Sequence, residues 1–147
     1  MADLSEEALS VAKQNISLQK KNGQVSCVRA NALEAPPAFL GKFDLIVSNP
    51  PYITAEEMAE LPDSVKDYEP HMALFGGDDG LEFYRSIAQK YSAALKPGGF
   101  LCFEFGMGQG DDVCRILEEN MYTILERTSD NNNIERAVIA RNNRKEE

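Results

Sequence analysis

Apolar residues recur at helical spacing in the early part of the chain. The stripe that they form consists of Leu4, Ala8, Val11, Ala12 and Ile16. This spacing predicts an amphipathic helix from Ser5 to about Lys20. Ser5 is a suitable N-cap, and the two glutamates that follow it interact favourably with the positive N-terminal end of the helix dipole. The Asn22-Gly23 pair then ends the helix.

Short apolar runs farther along the chain have the length and composition of β-strands. Residues 43–48 (FDLIVS) are apolar almost throughout, which is typical of a strand buried on both faces of a parallel sheet. The other predicted strands are residues 25–30, 100–105, 122–127 and 135–140. Three asparagines at 131–133 separate the last two, so we expect these two strands to form an antiparallel hairpin.

Helical segments alternate with these strands. The predicted helices are residues 81–95 and 111–120, together with a short helix within 54–67. Residues 68–80 are glycine-rich and irregular, and the KPGG sequence at 96–99 predicts a sharp turn. Alternation that ends in a hairpin predicts an α/β fold with a mainly parallel sheet and an antiparallel edge. We expect one domain over residues 1–147, in which residues 141–147 form a flexible tail.

A stiff tetrapeptide follows the predicted strand at 43–48. It consists of Asn49, Pro50, Pro51 and Tyr52, and we call it the NPPY loop (residues 49–52). Proline cannot donate to a sheet ladder, so the strand must stop there, and a residue before proline is held out of the helical region. The loop is either a simple strand-ending turn or a template that fixes one side-chain amide and one carbonyl. Open α/β sheets bind ligands at the carboxyl ends of their strands, where this loop lies.

Composition and charge disfavour several classes of partner and site. The formal net charge is −9, and the longest basic cluster is Lys20-Lys21, so nucleic acid is disfavoured as the main partner. No apolar run reaches the length of a membrane span, and the first residues lack a signal-peptide pattern. Three widely spaced cysteines favour reduced thiols in a cytoplasmic protein. A single histidine and the lack of a Cys-x-x-Cys motif disfavour a zinc site.

Four blocks of sequence carry a resemblance to a known family. In chain order they are SNPPYI, YEPHMALFGGDDGLEFYR, LKPGGFLCFEFGMGQG and NNIERAVIAR. Together they resemble the release-factor glutamine N5-methyltransferases over essentially the whole chain. The NPPY tetrapeptide also occurs in S-adenosylmethionine-dependent enzymes that methylate amino groups of adenine or guanine, whereas the second block resembles the protein-glutamine branch. The resemblance implies a partial Rossmann-like methyltransferase fold and S-adenosylmethionine as the cofactor.

Two parts of the family pattern have no counterpart in this sequence. Family members begin with a small helical domain that helps to bind the release factor, and then have a strand that ends in a glycine-rich cofactor loop. The first residues here resemble the end of the family's second strand. Without the first strand, a central strand would have an open edge, and unpaired edges seek partners. We therefore expect either a homo-oligomer that pairs this edge or a rearranged sheet.

The resemblance assigns the catalytic residues to the NPPY loop. A glutamine side-chain amide is a poor nucleophile because its nitrogen lone pair is delocalised into the carbonyl. The Asn49 side-chain oxygen and the Pro50 carbonyl would hold the two N–H donors and favour the positive charge that develops on nitrogen. Pro51 completes the stiff backbone that preorganises these acceptors. The Tyr52 ring would stack on the amide plane.

The resemblance also assigns residues to the cofactor. Asp3 would accept hydrogen bonds from both ribose hydroxyls, although an acidic residue there also suits the start of a helix. Asn31 would accept from the adenine amino group, and Ala32 would supply an adjacent backbone N–H. These two residues alternatively form an ordinary loop after a strand. Asn49 would lie beside the cofactor as well as the substrate.

Three functions remain open on the sequence. The first is methyl transfer from S-adenosylmethionine to a glutamine in the Gly-Gly-Gln loop of a release factor, or to a ribosomal protein within the same branch. The second is an amino methyltransferase of nucleic acids, which the net charge of −9 opposes. The third is a folded but inactive interaction module, which the missing glycine-rich loop suggests.

Overall fold

The computed structural model describes residues 1–62 and 70–145. The α-helices in these ranges are α1 (Glu6–Leu18), α2 (Ala55–Glu60), α3 (His71–Leu74), α4 (Glu82–Lys90) and α5 (Gly110–Glu119). The strands are β1 (Ala2–Asp3), β2 (Val28–Arg29), β3 (Phe43–Ser48), β4 (Leu95–Glu104), β5 (Tyr122–Ser129) and β6 (Glu135–Asn142). Turns of 3-10 helix occupy Ala38–Leu40 and Tyr91–Ala94. None of these helices is both long enough and apolar enough to cross a membrane.

The strands form two separate sheets. β3, β4, β6 and β5 lie side by side in that order, with β3 parallel to β4 and the other pairs antiparallel. β1 and β2 form a two-stranded parallel sheet of their own. The α/β class and the final hairpin are confirmed, although the larger sheet is mixed and not mainly parallel. β3 lies at the edge of the larger sheet, so the homo-oligomer and the rearranged sheet, which are the two outcomes expected from an open edge, both stay predictions.

One face of the larger sheet and two helices form the hydrophobic core. Helices α4 and α5 pack against the face that carries Leu101, Phe103 and Val138, which are at most 1 % exposed. Tyr84 of α4 meets Phe103 edge-on, with ring centroids 5.2 Å apart, and its hydroxyl donates to the Glu104 carbonyl. Burial raises the pKa of the Tyr84 phenol well above its ordinary value. The core thus reaches the carboxyl end of β4 and supports the loop that follows it.

Helix α1 begins where the sequence predicts. Ser5 has an extended backbone, and its hydroxyl oxygen accepts a hydrogen bond of 3.1 Å from the Ala8 N–H, which satisfies one of the free donors of the first turn. The helix ends at Leu18, two residues before the predicted boundary. Lys20 has a φ of 54°, and this left-handed residue turns the chain away from the helix axis.

The prediction that residues 43–48 are buried on both faces is wrong. β3 is an edge strand with one neighbour, β4. Leu45 and Val47 are 50 % and 70 % exposed, whereas Ile46 on the opposite face packs against the core. Phe100, which pairs with Leu45, is also exposed. The apolar run is typical of a buried strand. Among the described residues, however, no second strand or helix covers the face that carries Leu45 and Val47.

Two predicted element boundaries also differ from the structure. Only Val28–Arg29 of the predicted strand at 25–30 pairs as a strand, because β1 offers two partner residues. The KPGG sequence lies inside β4 as an irregularity and does not separate it from α4. Phe43 pairs with Leu95 and Leu45 pairs with Phe100, so β4 carries the extra residues in a bulge between these pairs.

The predicted tail from residue 141 is wrong for its first two residues. β6 continues through Asn142, which is 2 % exposed and accepts a hydrogen bond from the Arg144 N–H. The Asn143 side chain donates to the Thr123 hydroxyl at 2.7 Å. Parts of three predictions lie outside the described residues. These are positions 63–67 of the short helix, 68 and 69 of the irregular segment, and 146 and 147 of the tail.

Candidate active site

The NPPY loop follows β3 at the carboxyl end of the larger sheet. Asn49 is exposed, Pro50 is buried, and Pro51 and Tyr52 are partly buried. The chain then returns to regular pairing at Ile53, whose N–H donates to the Leu74 carbonyl and whose carbonyl accepts from the Gly76 N–H, both at 2.9 Å. The loop is therefore anchored at both ends, with the Asn49 side chain presented to solvent between the anchors.

Three glycines allow other loops to approach Tyr52 closely. A Cβ on Gly76 would lie 2.6 Å from the Tyr52 Cα, and one on Gly80 would lie 2.3 Å from the Tyr52 carbonyl oxygen. A Cβ on Gly106 would lie 2.9 Å from Cδ2 of the Tyr52 ring. Gly77, whose φ is 91°, suits a turn, whereas Gly76 is needed for its close approach to the loop.

The side chain of Gln109, which the sequence analysis did not single out, connects three loops at this position. Its Nε2 donates to the Tyr52 carbonyl at 3.1 Å and to the Gly80 carbonyl at 3.4 Å. Its Oε1 accepts from the Gly106 N–H at 2.9 Å. The sequence alone does not indicate this role, because the contacts with Tyr52 and Gly80 join residues that are far apart in the chain.

A cleft with a volume of about 540 Å³ opens beside Tyr52. Its walls come from α2 and the residues on either side of it, from the loop before α4 and from the loop after β4. The acidic side chains that line it are Glu57, Glu60 and Asp79. Glu57 closes a capping box with Thr54, so its carboxylate is held at the N-terminus of α2. The wall of the cleft is therefore negatively charged next to the NPPY loop.

Asp79 is fixed by an arginine on the neighbouring helix. Arg85 donates to both carboxylate oxygens of Asp79, at 2.9 and 2.8 Å. These hydrogen bonds lower the pKa of the Asp79 carboxyl below its ordinary value, so this group stays ionised at neutral pH. The Leu81 N–H donates to the same carboxylate at 3.1 Å. Asp79 thereby orders the loop that carries Gly80.

Asp3 lies at the end of β1 and is exposed. Its Oδ1 accepts from the Ser5 N–H at 2.8 Å, and its carbonyl accepts from the Ala30 N–H. The carboxylate therefore helps to order the turn into α1, as the alternative interpretation of this residue suggested. That contact uses one carboxylate oxygen, and the other oxygen is left to accept from a ligand.

Asn31 and Ala32 lie after β2 in a loop that is fixed to α4. The Asn31 Oδ1 accepts from the Leu33 N–H, and its Nδ2 donates to Glu34, each at 3.0 Å. The Ser86 hydroxyl donates to the Ala32 carbonyl at 2.8 Å. Because an amide oxygen has two lone pairs, Asn31 retains one acceptor position beside its local turn. The loop geometry is thus held by α4.

The candidate site residues thus lie in two separate groups. Tyr52 is brought together with Gly76, Gly80, Gly106 and Gln109, whereas Asp3 ends β1 and Asn31 follows β2. Within residues 1–62 and 70–145, no hydrogen bond joins Asp3 or Asn31 to the NPPY loop. Each predicted site residue nevertheless lies at or just after the carboxyl end of a strand.

Comparison with solved structures shows the fold. A methyltransferase from Pyrococcus furiosus superposes with a TM-score of 0.62 at 18 % identity, over 95 % of this chain and 60 % of that chain. The N-methyltransferase NodS from Bradyrhizobium japonicum, solved in complex with S-adenosyl-L-homocysteine, gives a TM-score of 0.58 at 19 % identity. That match covers 96 % of this chain and 64 % of the other. The fold is a partial Rossmann-like methyltransferase fold, as the sequence predicts.

Comparison of sequences shows which proteins the chain is related to. The model of the methyltransferase small domain matches residues 1–62. A release factor glutamine methyltransferase from Clostridium acetobutylicum is 40 % identical over 139 residues, which are 95 % of this chain and 49 % of that relative. The chain spans about half the length of the curated relatives it matches. Over most of its length, the chain is therefore related to the release factor glutamine methyltransferases, of which it matches about half or less.

Proposed function

We propose that this chain transfers the methyl group of S-adenosylmethionine to the side-chain amide nitrogen of a glutamine in a peptide chain release factor. The observation that carries the proposal is the NPPY loop, in which the exposed Asn49 amide follows a strand and precedes the clamped Tyr52. The Asn49 side-chain oxygen and the Pro50 carbonyl offer two acceptors on this stiff backbone, which can bind the two N–H groups of a planar amide. The similarity to release factor glutamine methyltransferases supports a release-factor glutamine as the recipient, and the resemblance of the sequence blocks suggests the Gly-Gly-Gln loop as its location.

The NPPY loop would orient the substrate amide. The Asn49 side-chain oxygen and the Pro50 carbonyl would accept from its two N–H groups, so that the nitrogen lone pair faces the methyl donor. Both acceptors become more favourable as positive charge develops on nitrogen. The two prolines limit the backbone motion needed during the reaction, and the partly buried Tyr52 ring would stack on the amide plane.

Asp3, Asn31 and Ala32 would hold the cofactor. The donor and acceptor types fit its groups, because a carboxylate accepts from two hydroxyls and an amide oxygen accepts from an amino group. The contacts of Asp3 with Ser5 and of Asn31 with Leu33 leave acceptor positions on both side chains. Asn49 would lie beside the cofactor as well. S-adenosylmethionine supplies an electrophilic methyl group when it is bound.

The charge of the cleft favours a protein over a nucleic acid as the substrate. Glu57 and Glu60 line the cleft next to Tyr52, and a phosphate backbone would be repelled by these carboxylates, whereas the charge of Asp79 is offset by Arg85. The expected partner is therefore a polypeptide, and the amino methyltransferase of nucleic acids is the less favoured alternative.

Transfer of labelled methyl groups tests the proposal. The chain is incubated with S-adenosylmethionine carrying a labelled methyl group and with a release factor, and the modified residue is located by mass spectrometry. We expect label on the glutamine of the Gly-Gly-Gln loop, and we expect Asn49→Ala to abolish it. Asn132→Ala, in the turn between β5 and β6, serves as the control. Absence of label with the unaltered chain, where a full-length relative labels the same factor, would refute methyl transfer by this chain.

A further inference from the structure

Gln109 uses nearly all of the hydrogen-bonding capacity of its amide on three backbone segments. Its Nε2 donates to the carbonyls of Tyr52 and Gly80, and its Oε1 accepts from the Gly106 N–H. A primary amide has two donors and two acceptor positions, and three of these four are occupied here. The three contacted segments follow β3, precede α4 and follow β4, and they are remote from one another in sequence.

The backbone of Gln109 ties this amide to the rigid part of the molecule. Gln109 is the N-cap of α5, and its carbonyl accepts from the Val113 N–H at 2.9 Å. Val113 and Leu117 of the same helix are fully buried in the core. The amide therefore projects from a packed helix towards the NPPY loop, so its position is determined by the core and not by a mobile segment.

The NPPY loop is stiff, so a contact that fixes the Tyr52 carbonyl also restrains the residues before it. The proline rings fix φ at Pro50 and Pro51, and Ser48 is held in register against Phe103 of β4. Few soft torsions remain between that pairing and the Tyr52 carbonyl. A hydrogen bond that fixes the Tyr52 carbonyl consequently limits the direction of the Pro50 carbonyl and of the Asn49 Cα–Cβ bond.

The surrounding glycines are shaped to admit this amide. A Cβ on Gly80 would lie 2.7 Å from the Gln109 Nε2, and a Cβ on Gly106 would lie 3.0 Å from its Oε1. Both positions thus leave room for Gln109 as well as for Tyr52. Because Gly80 and Gly106 lie close to both Tyr52 and Gln109, the Gln109 amide contacts the loops around Tyr52 and does not merely cap α5.

We propose that Gln109 is a positioning residue that holds the NPPY loop in the geometry needed to orient the substrate amide. The inference rests on the proposed function of that loop. Gln109 acts through the backbone of Tyr52 and contacts neither the methyl group nor the accepting nitrogen.

Two substitutions separate this role from simple packing. Gln109→Glu keeps the size of the side chain and the acceptor for Gly106, but it replaces the donor group with a carboxylate oxygen facing two carbonyls. Gln109→Ala removes all three hydrogen bonds. Gln14→Glu, on the exposed face of α1, introduces the same charge away from the loop and is the matched control.

Nuclear magnetic resonance of the chain tests the positioning directly. In Gln109→Glu we expect the Gly106 amide to retain its protection against hydrogen exchange, while the contact between the Tyr52 ring and Gly106 is lost. In Gln109→Ala we expect both to be lost, and in Gln14→Glu neither. An unchanged contact between Tyr52 and Gly106 in both Gln109 variants would overturn the proposal. Collapse of the whole spectrum in both would do so too, because Gln109 would then be required for folding.

A kinetic measurement connects the geometry to the reaction. We expect Gln109→Glu to lower kcat by about 10-fold to 100-fold, since misplaced reacting groups cost rates of that order, with KM for S-adenosylmethionine changed by less than about 2-fold. Lowering the pH should restore part of the activity of this variant, because the introduced carboxyl group can donate again once it is protonated. An unchanged kcat would overturn the role in catalysis. If the unaltered chain transfers no methyl group, the proposed function fails, whereas the spectra still decide whether Gln109 positions the loop.

Discussion

Gly76 lies against the backbone of Tyr52, and a Cβ at position 76 would be 2.6 Å from the Tyr52 Cα. The same Cβ would be 2.7 Å from the Pro51 carbonyl oxygen. Both neighbours are backbone atoms, so neither can move aside by a change of rotamer. The pairing of Ile53 with Phe75 keeps the two segments together. The segment before α4 is therefore part of the support of the NPPY loop.

Substitution of Gly80 by alanine should be more costly than that of a glycine with similar backbone geometry elsewhere. Gly80 and Gly98 have φ values of 71° and 75°, which strains alanine by about 1–2 kcal/mol at either position. Only at Gly80 would the Cβ collide with Tyr52, which adds about 1–3 kcal/mol for overpacking. Urea unfolding of Gly80→Ala and Gly98→Ala measures the difference, and equal losses of unfolding free energy would contradict the close packing around Tyr52.

The sequence predicts those features of the structure that depend on residues close together in the chain. Ser5 caps α1 because its hydroxyl reaches a donor three residues ahead, and the prolines end β3 because they lack an N–H. Contacts between distant segments leave no such signal. Gln109 and Gly76 meet Tyr52 only in the folded chain, so neither residue was predicted to support the loop. The predicted burial of β3 on both faces is wrong for a similar reason, since an apolar pattern does not show which strands and helices pack against it.

The ion pair of Asp79 with Arg85 predicts a loss of stability in acid. Hydrogen bonds from Arg85 lower the pKa of Asp79 in the folded state. Its contribution is therefore present above the unfolded pKa of about 3.9 and is lost as the pH falls through the lower folded value. Asp79→Asn should reduce the unfolding free energy at neutral pH by about 0.2–1 kcal/mol, because the pair is exposed to solvent.

The control for this prediction is Asp78→Asn, which removes the adjacent exposed carboxylate. Urea unfolding midpoints are compared at neutral pH and in the acid range. Asp79→Asn should show a smaller decrease towards acid than the unaltered chain. A pH dependence equal to that of the unaltered chain would show that the Asp79 ion pair does not contribute to stability.

The exposed edge strand predicts association of the chain with itself. Val47 is 70 % exposed on β3, and the neighbouring Leu45 is exposed on the same face. An open, apolar strand edge favours pairing with another strand, and a lysine there opposes it. We expect sedimentation to show concentration-dependent association of the unaltered chain and a monomer for Val47→Lys. Val11→Lys, on the exposed side of α1, is the control, and a monomer at every concentration of the unaltered chain would exclude the predicted homo-oligomer.

Binding of S-adenosylmethionine tests the central claim most directly, because every step of the proposed transfer requires the cofactor on this chain. Calorimetric titration of S-adenosylmethionine into the unaltered chain and into Asp3→Ala is the measurement. We predict binding by the unaltered chain in the micromolar range, weakened at least about 10-fold in Asp3→Ala by the loss of charge-assisted hydrogen bonds to the ribose. Absence of binding by the unaltered chain would contradict the claim that Asp3, Asn31 and Asn49 form a cofactor site.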